Sequence, residues 1–241
     1  RYPSSVRVND LHLIEETLQR LKPPVWPEDL FGKIDRPLAA KGRRLFTEHC
    51  AGCHVPAVVE ENGRLVKQLK MLPVEVIGTD PNTATNIADN RYDLSALQWD
   101  PAELASMNVN LLPKSEQPLD MHQLSVAKGL AYVTAFVEKR AYQDAAVSPQ
   151  EQARLNGFGL PIGVLELRAY KARPLDGIWA TAPYLHNGSV PTVYQLLSPQ
   201  SERAQTFYRG NFEYDPRHLG YRTDAFDGGF VLDTRISGNH N

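Results

Sequence analysis

The chain places both of its cysteines two residues apart, with a histidine directly after the second. They lie in the stretch FTEHCAGCHVP, as Cys50, Cys53 and His54. Two cysteines this close enclose almost no loop, so a fold stapled by disulfides is excluded. The fold therefore has to accommodate two thiols and an imidazole that lie within five consecutive residues.

Three chemistries use such a group. A thioredoxin-like dithiol follows a buried strand, whereas the segment before Cys50 has a helical, polar pattern. A zinc site needs four ligands, and no second CxxC or HxxxH motif completes the set. Haem uses all three residues: the two thiols add to its two vinyl groups, and an imidazole nitrogen of His54 then lies below the ring, where it can bind iron. The motif therefore favours one covalently attached haem c, with His54 as the proximal ligand. Phe46, four residues before Cys50, is predicted to lie against the porphyrin, although ordinary core packing explains it equally well.

The composition and net charge indicate which kinds of binding partner the chain lacks. Hydrophobic residues make up 42% and charged residues 22% of the chain, as in ordinary globular proteins. The net charge of -2 gives no electrostatic case for binding nucleic acid. No apolar run approaches the roughly 18 residues that cross a bilayer. We therefore expect neither a nucleic-acid partner nor a membrane span.

Periodicity predicts a mainly α fold with long irregular loops. Helical spacing occurs over 10–21, in a short segment running into the cysteines, and over 121–142. Prolines interrupt every candidate element between 55 and 120, and no run of alternating residues indicates strands. Ser148 is predicted to cap one further helix and Ser189 another. The helix over 121–142 is predicted to bury an apolar face made of Leu124, Leu130, Val133, Phe136 and Val137.

A second informative stretch is YKARPLDGIWATAPYLHNGSVPTVYQLL, from residue 170 to 197. It interleaves aromatic rings with Arg173, His186 and tight turns. Such a mixture suits a pocket for a cofactor with negatively charged propionates, one of which the Arg173 guanidinium could pair. Trp179, Tyr184 and His186 are the other predicted pocket residues, and Trp179 is also a candidate for a redox path or a haem contact.

This stretch resembles the signature of the di-haem cytochrome c peroxidase superfamily, most closely the branch that contains the rubber oxygenases. PPVWPEDLFGKIDR, VIGTDP and YDPRHLGY also fit that branch. The resemblance implies a cytochrome c-like haem domain over 36–241, preceded by an N-terminal helix and Pro-rich linker over 1–35. It also implies export, so that the protein is periplasmic or secreted.

Two departures from that superfamily matter. Its members carry two CxxCH motifs and this chain carries one, so the chain looks like the carboxy-terminal haem half. Relatives also continue past the point where this sequence stops, so the haem domain is expected to lack its closing C-terminal segment. The expected partners are another haem-bearing segment or chain and a redox partner protein.

The sixth position on the iron is left open by the sequence. His186 is predicted to have a pocket role rather than to bind iron in the ordinary axial position. The candidates for the sixth ligand are His240, His218 and Met71, or a residue outside this chain. Overall we expect the electron-transfer haem part of an exported multi-haem oxidoreductase of the peroxidase or rubber oxygenase type. The alternatives are a stand-alone electron-carrier cytochrome c and a five-coordinate haem that itself reduces peroxide.

Overall fold

The computed structural model describes residues 5–61, 63–97, 99–100, 102–103, 107, 109–112, 120–156, 162–165, 167–236 and 239. The chain forms two compact units that alternate along the sequence. Unit 1 contains Arg1–Lys22 and Thr83–Arg168, and unit 2 contains Pro23–Asn82 and Ala169–Asn241. The haem domain predicted over 36–241 and the linker region over 1–35 stay predictions.

Helices and strands are numbered here in chain order. The helices within the described residues are α1 (Val8–Arg20), α2 (Glu28–Phe31), α3 (Arg36–His49), α4 (Ala51–His54), α5 (Val74–Ile77), α6 (Asn82–Asp89), α7 (Val126–Asp144), α8 (Pro149–Leu155) and α9 (Val193–Leu196). The strands are β1 (Ala57–Glu61), β2 (Arg64–Gln68), β3 (Lys70–Pro73), β4 (Arg91–Tyr92), β5 (Val109–Leu112), β6 (Leu124–Ser125), β7 (Ile162–Leu165), β8 (Ala169–Ala172), β9 (Thr206–Arg209), β10 (Tyr214–Asp215), β11 (Gly220–Tyr221) and β12 (Phe230–Asp233).

The prediction of a mainly α fold is wrong. The strands of the described chain pair in six two-stranded sheets, which makes the fold a mixture of helices and small sheets. Five pairs are antiparallel, and only β5 with β7 is parallel. The region 55–120, predicted to be irregular, contains β1 to β5, α5 and α6. Prolines did not prevent strands here because each strand is short and Pro73, for example, stands at a strand end.

Unit 1 is built around α7. Its small core contains Ala127 and Ala131, with Val109 of β5 packed against them. The apolar face predicted for this helix is largely wrong, because Leu130, Val133 and Val137 are 58%, 39% and 37% exposed. Alanines one turn apart face the strands instead, since their small side chains let the helix and the strands approach closely. The Ser148 cap is confirmed: its hydroxyl accepts a hydrogen bond from the Glu151 amide at 3.2 Å.

Unit 2 contains the cysteine motif. The helix α3 begins at an Asp35 cap and ends at His49, directly before Cys50. The predicted Ser189 cap is wrong, because Thr192 accepts the hydrogen bond from the Gln195 amide that starts α9. Ser189 is fully buried instead, and its amide donates to the Asn187 side chain.

Among the described helices, none combines the length and apolar character needed to cross a membrane.

Candidate haem site

The three motif residues lie within a single turn of backbone. The Cys53 and His54 amides both donate to the Cys50 carbonyl oxygen, at 3.1 and 2.9 Å. Both cysteines are free thiols and half-buried. The turn formed by the end of α3 and by α4 therefore presents two thiols and one imidazole from the same short segment.

The imidazole of His54 is held by a residue far away in the sequence. Its Nδ1 lies 2.8 Å from the backbone carbonyl oxygen of Arg173, 119 residues later. A carbonyl oxygen only accepts, so Nδ1 is the donor, which leaves Nε2 as the ring nitrogen that can bind a metal. Histidines that bind metals usually donate their other ring N–H in this way, which fixes the ring and makes the ligating nitrogen more basic. The geometry therefore prepares Nε2 to act as a ligand.

The surroundings of the motif fit a covalently held haem. Phe46, one turn before Cys50, is half-buried. Leu45 and Val55, on either side of the motif, leave 48% and 59% of their surface exposed. Exposed apolar side chains beside two thiols and an imidazole provide what a porphyrin ring needs: two attachment points, an axial nitrogen and apolar contact area.

A strand pair connects this site to the second predicted stretch. The strand β3 pairs with β8, and β8 ends one residue before Arg173. Tyr170 of β8 donates its hydroxyl proton to the Asp80 carbonyl oxygen at 2.8 Å. The same hydroxyl lies 3.3 Å from Nε2 of His186, and the two rings stack with centroids 4.5 Å apart. Tyr170 therefore joins the strand that carries the His54 anchor to the loop that carries His186.

His186 is exposed but partly desolvated. Burial lowers the pKa of its imidazole, while the charge of Asp80 acts in the opposite direction. The residue before it, Leu185, adopts a left-handed backbone with φ of 63°, which is unfavourable for a branched side chain. The loop thus holds an uncommon conformation next to His186, as happens at functional positions.

Tyr184 stabilises this loop from inside. It is 4% exposed, and its hydroxyl lies 3.0 and 3.1 Å from the carbonyl oxygens of Ile178 and Leu219. Burial raises the pKa of this phenol well above its ordinary value. A neutral, hydrogen-bonded tyrosine in this position supports the loop, while its predicted contact with a cofactor stays a prediction.

Trp179 belongs to a cluster of aromatic rings in unit 2. Its ring meets that of Trp26 edge-on at 5.2 Å and that of Tyr214 at 6.1 Å. Its indole N–H donates to the Pro24 carbonyl oxygen at 3.3 Å, and its own carbonyl accepts from the Tyr214 hydroxyl at 2.7 Å. The structure places Trp179 in packed aromatic surroundings, and a redox role for it stays a prediction.

The remaining predicted ligands are distributed over unit 2. The guanidinium of Arg173 is on an exposed residue, so its expected pairing with a propionate stays a prediction. Nδ1 of His218 is engaged by the Asp215 carboxylate at 2.6 Å. Met71 is half-buried in β3, opposite Lys171 of β8. His240 lies outside the described residues, and the sixth ligand stays open.

Sequence reasoning missed two parts of this site. One is the Arg173 carbonyl, because a backbone oxygen has no residue-type signature. The other is Asp80, which is only 2% exposed and whose carbonyl holds Tyr170. The sequence signal for it is the Asp80-Pro81 step in VIGTDP, because Asp-Pro favours the start of a turn.

Comparison with known proteins supports the expected resemblance. A family described as RoxA-like, cytochrome c-like matches residues 169–208. The chain is 37% identical to the uncharacterized protein y4iJ of Sinorhizobium fredii (strain NBRC 101917 / NGR234), over all of this chain and 41% of that protein. It is 30% identical to the uncharacterized protein y4iM of the same organism, over 96% of this chain and 43% of that protein. The chain thus spans about two fifths of the length of the curated relatives it matches. The matched cytochrome c-like region supports a likeness to rubber oxygenase-like cytochromes and implies haem c binding.

Proposed function

We propose that this chain carries one covalently attached haem c and transfers electrons within an exported, periplasmic or secreted multi-haem oxidoreductase of the cytochrome c peroxidase or rubber oxygenase type. The observation that supports this most directly is the hydrogen bond from His54 Nδ1 to the Arg173 carbonyl, beside two free thiols on the same turn. Another haem-bearing segment or chain and a redox protein would be its partners.

Each residue of the motif has a separate task in this proposal. The thiols of Cys50 and Cys53 would hold the haem, each by adding its S and H across one vinyl double bond, which needs no oxidant. Haem supplies an iron that gains and loses one electron. Nε2 of His54 would be the proximal ligand of that iron. The Arg173 carbonyl keeps the proton on Nδ1 and increases the electron density of the ring, which favours the oxidised iron.

The first test is the attachment itself. The chain would be exported in a bacterium that has c-type haem attachment machinery, and its intact mass and colour would be measured after denaturation in acidified organic solvent. We expect the mass of one haem to stay with the polypeptide. Cys50→Ala with Cys53→Ala should abolish retention, whereas His49→Ala, a change in an exposed neighbouring histidine, should not. Pigment released freely into the solvent would contradict the proposal.

The second test separates electron transfer from peroxide chemistry. Electron paramagnetic resonance of the oxidised protein should show low-spin, six-coordinate iron, because electron-transferring haems hold both axial positions. Addition of peroxide should then leave the spectrum unchanged. High-spin iron that reacts with peroxide would instead favour the alternative of a five-coordinate haem that itself reduces peroxide.

A further inference from the structure

Unit 1 contains a cavity that the haem proposal does not use. It has a volume of about 590 Å³ and lies against α1 and α7. The apolar part of its lining consists of Val8, Leu11, Val133, Val137, Ala141 and Leu155. Cavities of this size with mostly apolar walls and a few polar groups are typical of sites for small molecules.

Two carboxylates line the same cavity, Glu15 from α1 and Glu138 from α7. One oxygen of Glu15, Oε2, is buried and has no hydrogen-bond partner. Burial raises the pKa of Glu138, and the charge of Glu15 raises it further. The pKa of Tyr142, also in the lining, is raised to about 12 by burial and then by both carboxylates. Two carboxyl groups therefore lie close enough to influence each other inside a mostly apolar cavity.

The nearby basic side chains are engaged elsewhere. Lys139 pairs with Glu103 at 3.4 Å, and Arg140 pairs with Asp144 at 3.4 Å. Arg154 binds both oxygens of Glu151.

The remaining basic group of the lining, His12, also makes its contacts with residues outside the lining. Its Nε2 lies 2.8 Å from Nη1 of Arg154 and 3.4 Å from Oε1 of Glu16, two residues that do not line the cavity. In the part of the chain that the structure describes, no ion pair reaches Glu15 or Glu138.

The geometry points to a binding site for a small organic cation, with a primary ammonium group between Glu15 and Glu138 and a hydrocarbon body along the valines and leucines of the cavity. A metal ion is a poorer fit, because the described residues contain no group of three or more His, Cys, Asp or Glu able to hold one. All residues involved belong to unit 1, so this inference is independent of the haem proposal.

The test uses four probes that separate charge from apolar contact. Binding of n-hexylammonium, hexan-1-ol, hexanoate and methylammonium to the full chain would be measured by calorimetry. We expect n-hexylammonium to bind at least about tenfold more tightly than hexan-1-ol and methylammonium, because only it has both features. Hexanoate should show no saturable binding. Equal affinities for the amine and the alcohol, or no saturation by the amine, would overturn the inference.

Variants locate the site. Glu138→Gln and Glu15→Gln keep the side-chain shape and should each weaken n-hexylammonium binding by about tenfold or more. Glu75→Gln, an exposed carboxylate in unit 2, is the matched control and should leave the affinity unchanged. Val137→Phe should weaken binding by narrowing the cavity without changing the charge. Thermal unfolding monitors folding, and the Glu→Gln variants should not be less stable, since they remove like-charge repulsion. An affinity that Glu138→Gln leaves unaltered would show that the amine binds elsewhere and would overturn the assignment.

Discussion

Gly220 is the position at which the loop carrying His186 is fastened to the β10–β11 hairpin. A methyl group at this residue would clash with the Pro191 carbonyl oxygen and would lie 2.8 Å from both Cα and Cγ2 of Thr192. Two of these three atoms belong to the backbone, so a side-chain rotation of Pro191 or Thr192 cannot relieve the clash. We therefore predict that Gly220→Ala separates the two segments.

The size of the effect follows from the contacts that would be lost. Overpacking of this kind costs about 1–3 kcal/mol. The junction also contains the hydrogen bonds from the Val193 and Tyr194 amides to the carbonyl oxygens of residues 219 and 218, at 3.0 and 3.1 Å. Each contributes about 1 kcal/mol, so the free energy of unfolding should fall by about 3–5 kcal/mol. For a protein of this size the midpoint of thermal unfolding should fall by on the order of 10 °C.

Thermal unfolding followed by circular dichroism measures this directly. Gly129→Ala is the matched control, a buried glycine of α7 whose added methyl would meet only the end of the Leu94 side chain, at 3.4 Å. It should change the free energy of unfolding by no more than about 1 kcal/mol. A Gly220→Ala protein that unfolds within 2 °C or so of the unmodified chain would refute the reasoning about this junction.

Two further predictions concern the loop around His186. Tyr170→Phe removes the hydrogen bond to the carbonyl oxygen of the buried residue Asp80. The free energy of unfolding, measured by urea titration, should fall by about 1–3 kcal/mol. Tyr92→Phe, at a tyrosine that is 54% exposed, should have no measurable effect, and equal losses in the two variants would contradict the role of Tyr170. The lowered pKa of His186 means that the folded chain binds its proton less readily than the unfolded chain. Its contribution to stability is therefore complete above the ordinary value of about 6.5 and is lost as the pH falls below it. His186→Gln should make the decline in the free energy of unfolding between about pH 7 and pH 5 shallower. If the variant and the unmodified chain lose stability in parallel over this range, the lowered pKa assigned to His186 is contradicted.

Local features of the chain were predictable from its sequence. The helix that runs into the cysteines and the Ser148 cap depend on residues within one or two turns, where periodicity and capping chemistry act. The adjacency of Cys50, Cys53 and His54 was likewise available from their spacing alone.

The small sheets were not predicted because most of their pairings are distant and short. Met71, for example, pairs with Lys171, and strands of two to five residues show no clear alternation. One signal was overlooked: Asn62-Gly63 stands between β1 and β2, where Glu61 opposes Arg64. This dipeptide is a strong indicator of a two-residue hairpin. The prediction for the long helix α7 was wrong for another reason, since its alanines, rather than most of its larger apolar residues, face the core.

The hydrogen bond to His54 has a consequence for the order of events during biosynthesis. The motif is translated 119 residues before the carbonyl that braces its imidazole, and at about 5–20 residues per second this interval lasts many seconds. During that time the imidazole of the nascent segment has no carbonyl oxygen to orient it. Only when the later half of unit 2 emerges and closes this long loop does the ring acquire a fixed orientation, so the bracing of His54 is a late step in the folding of unit 2.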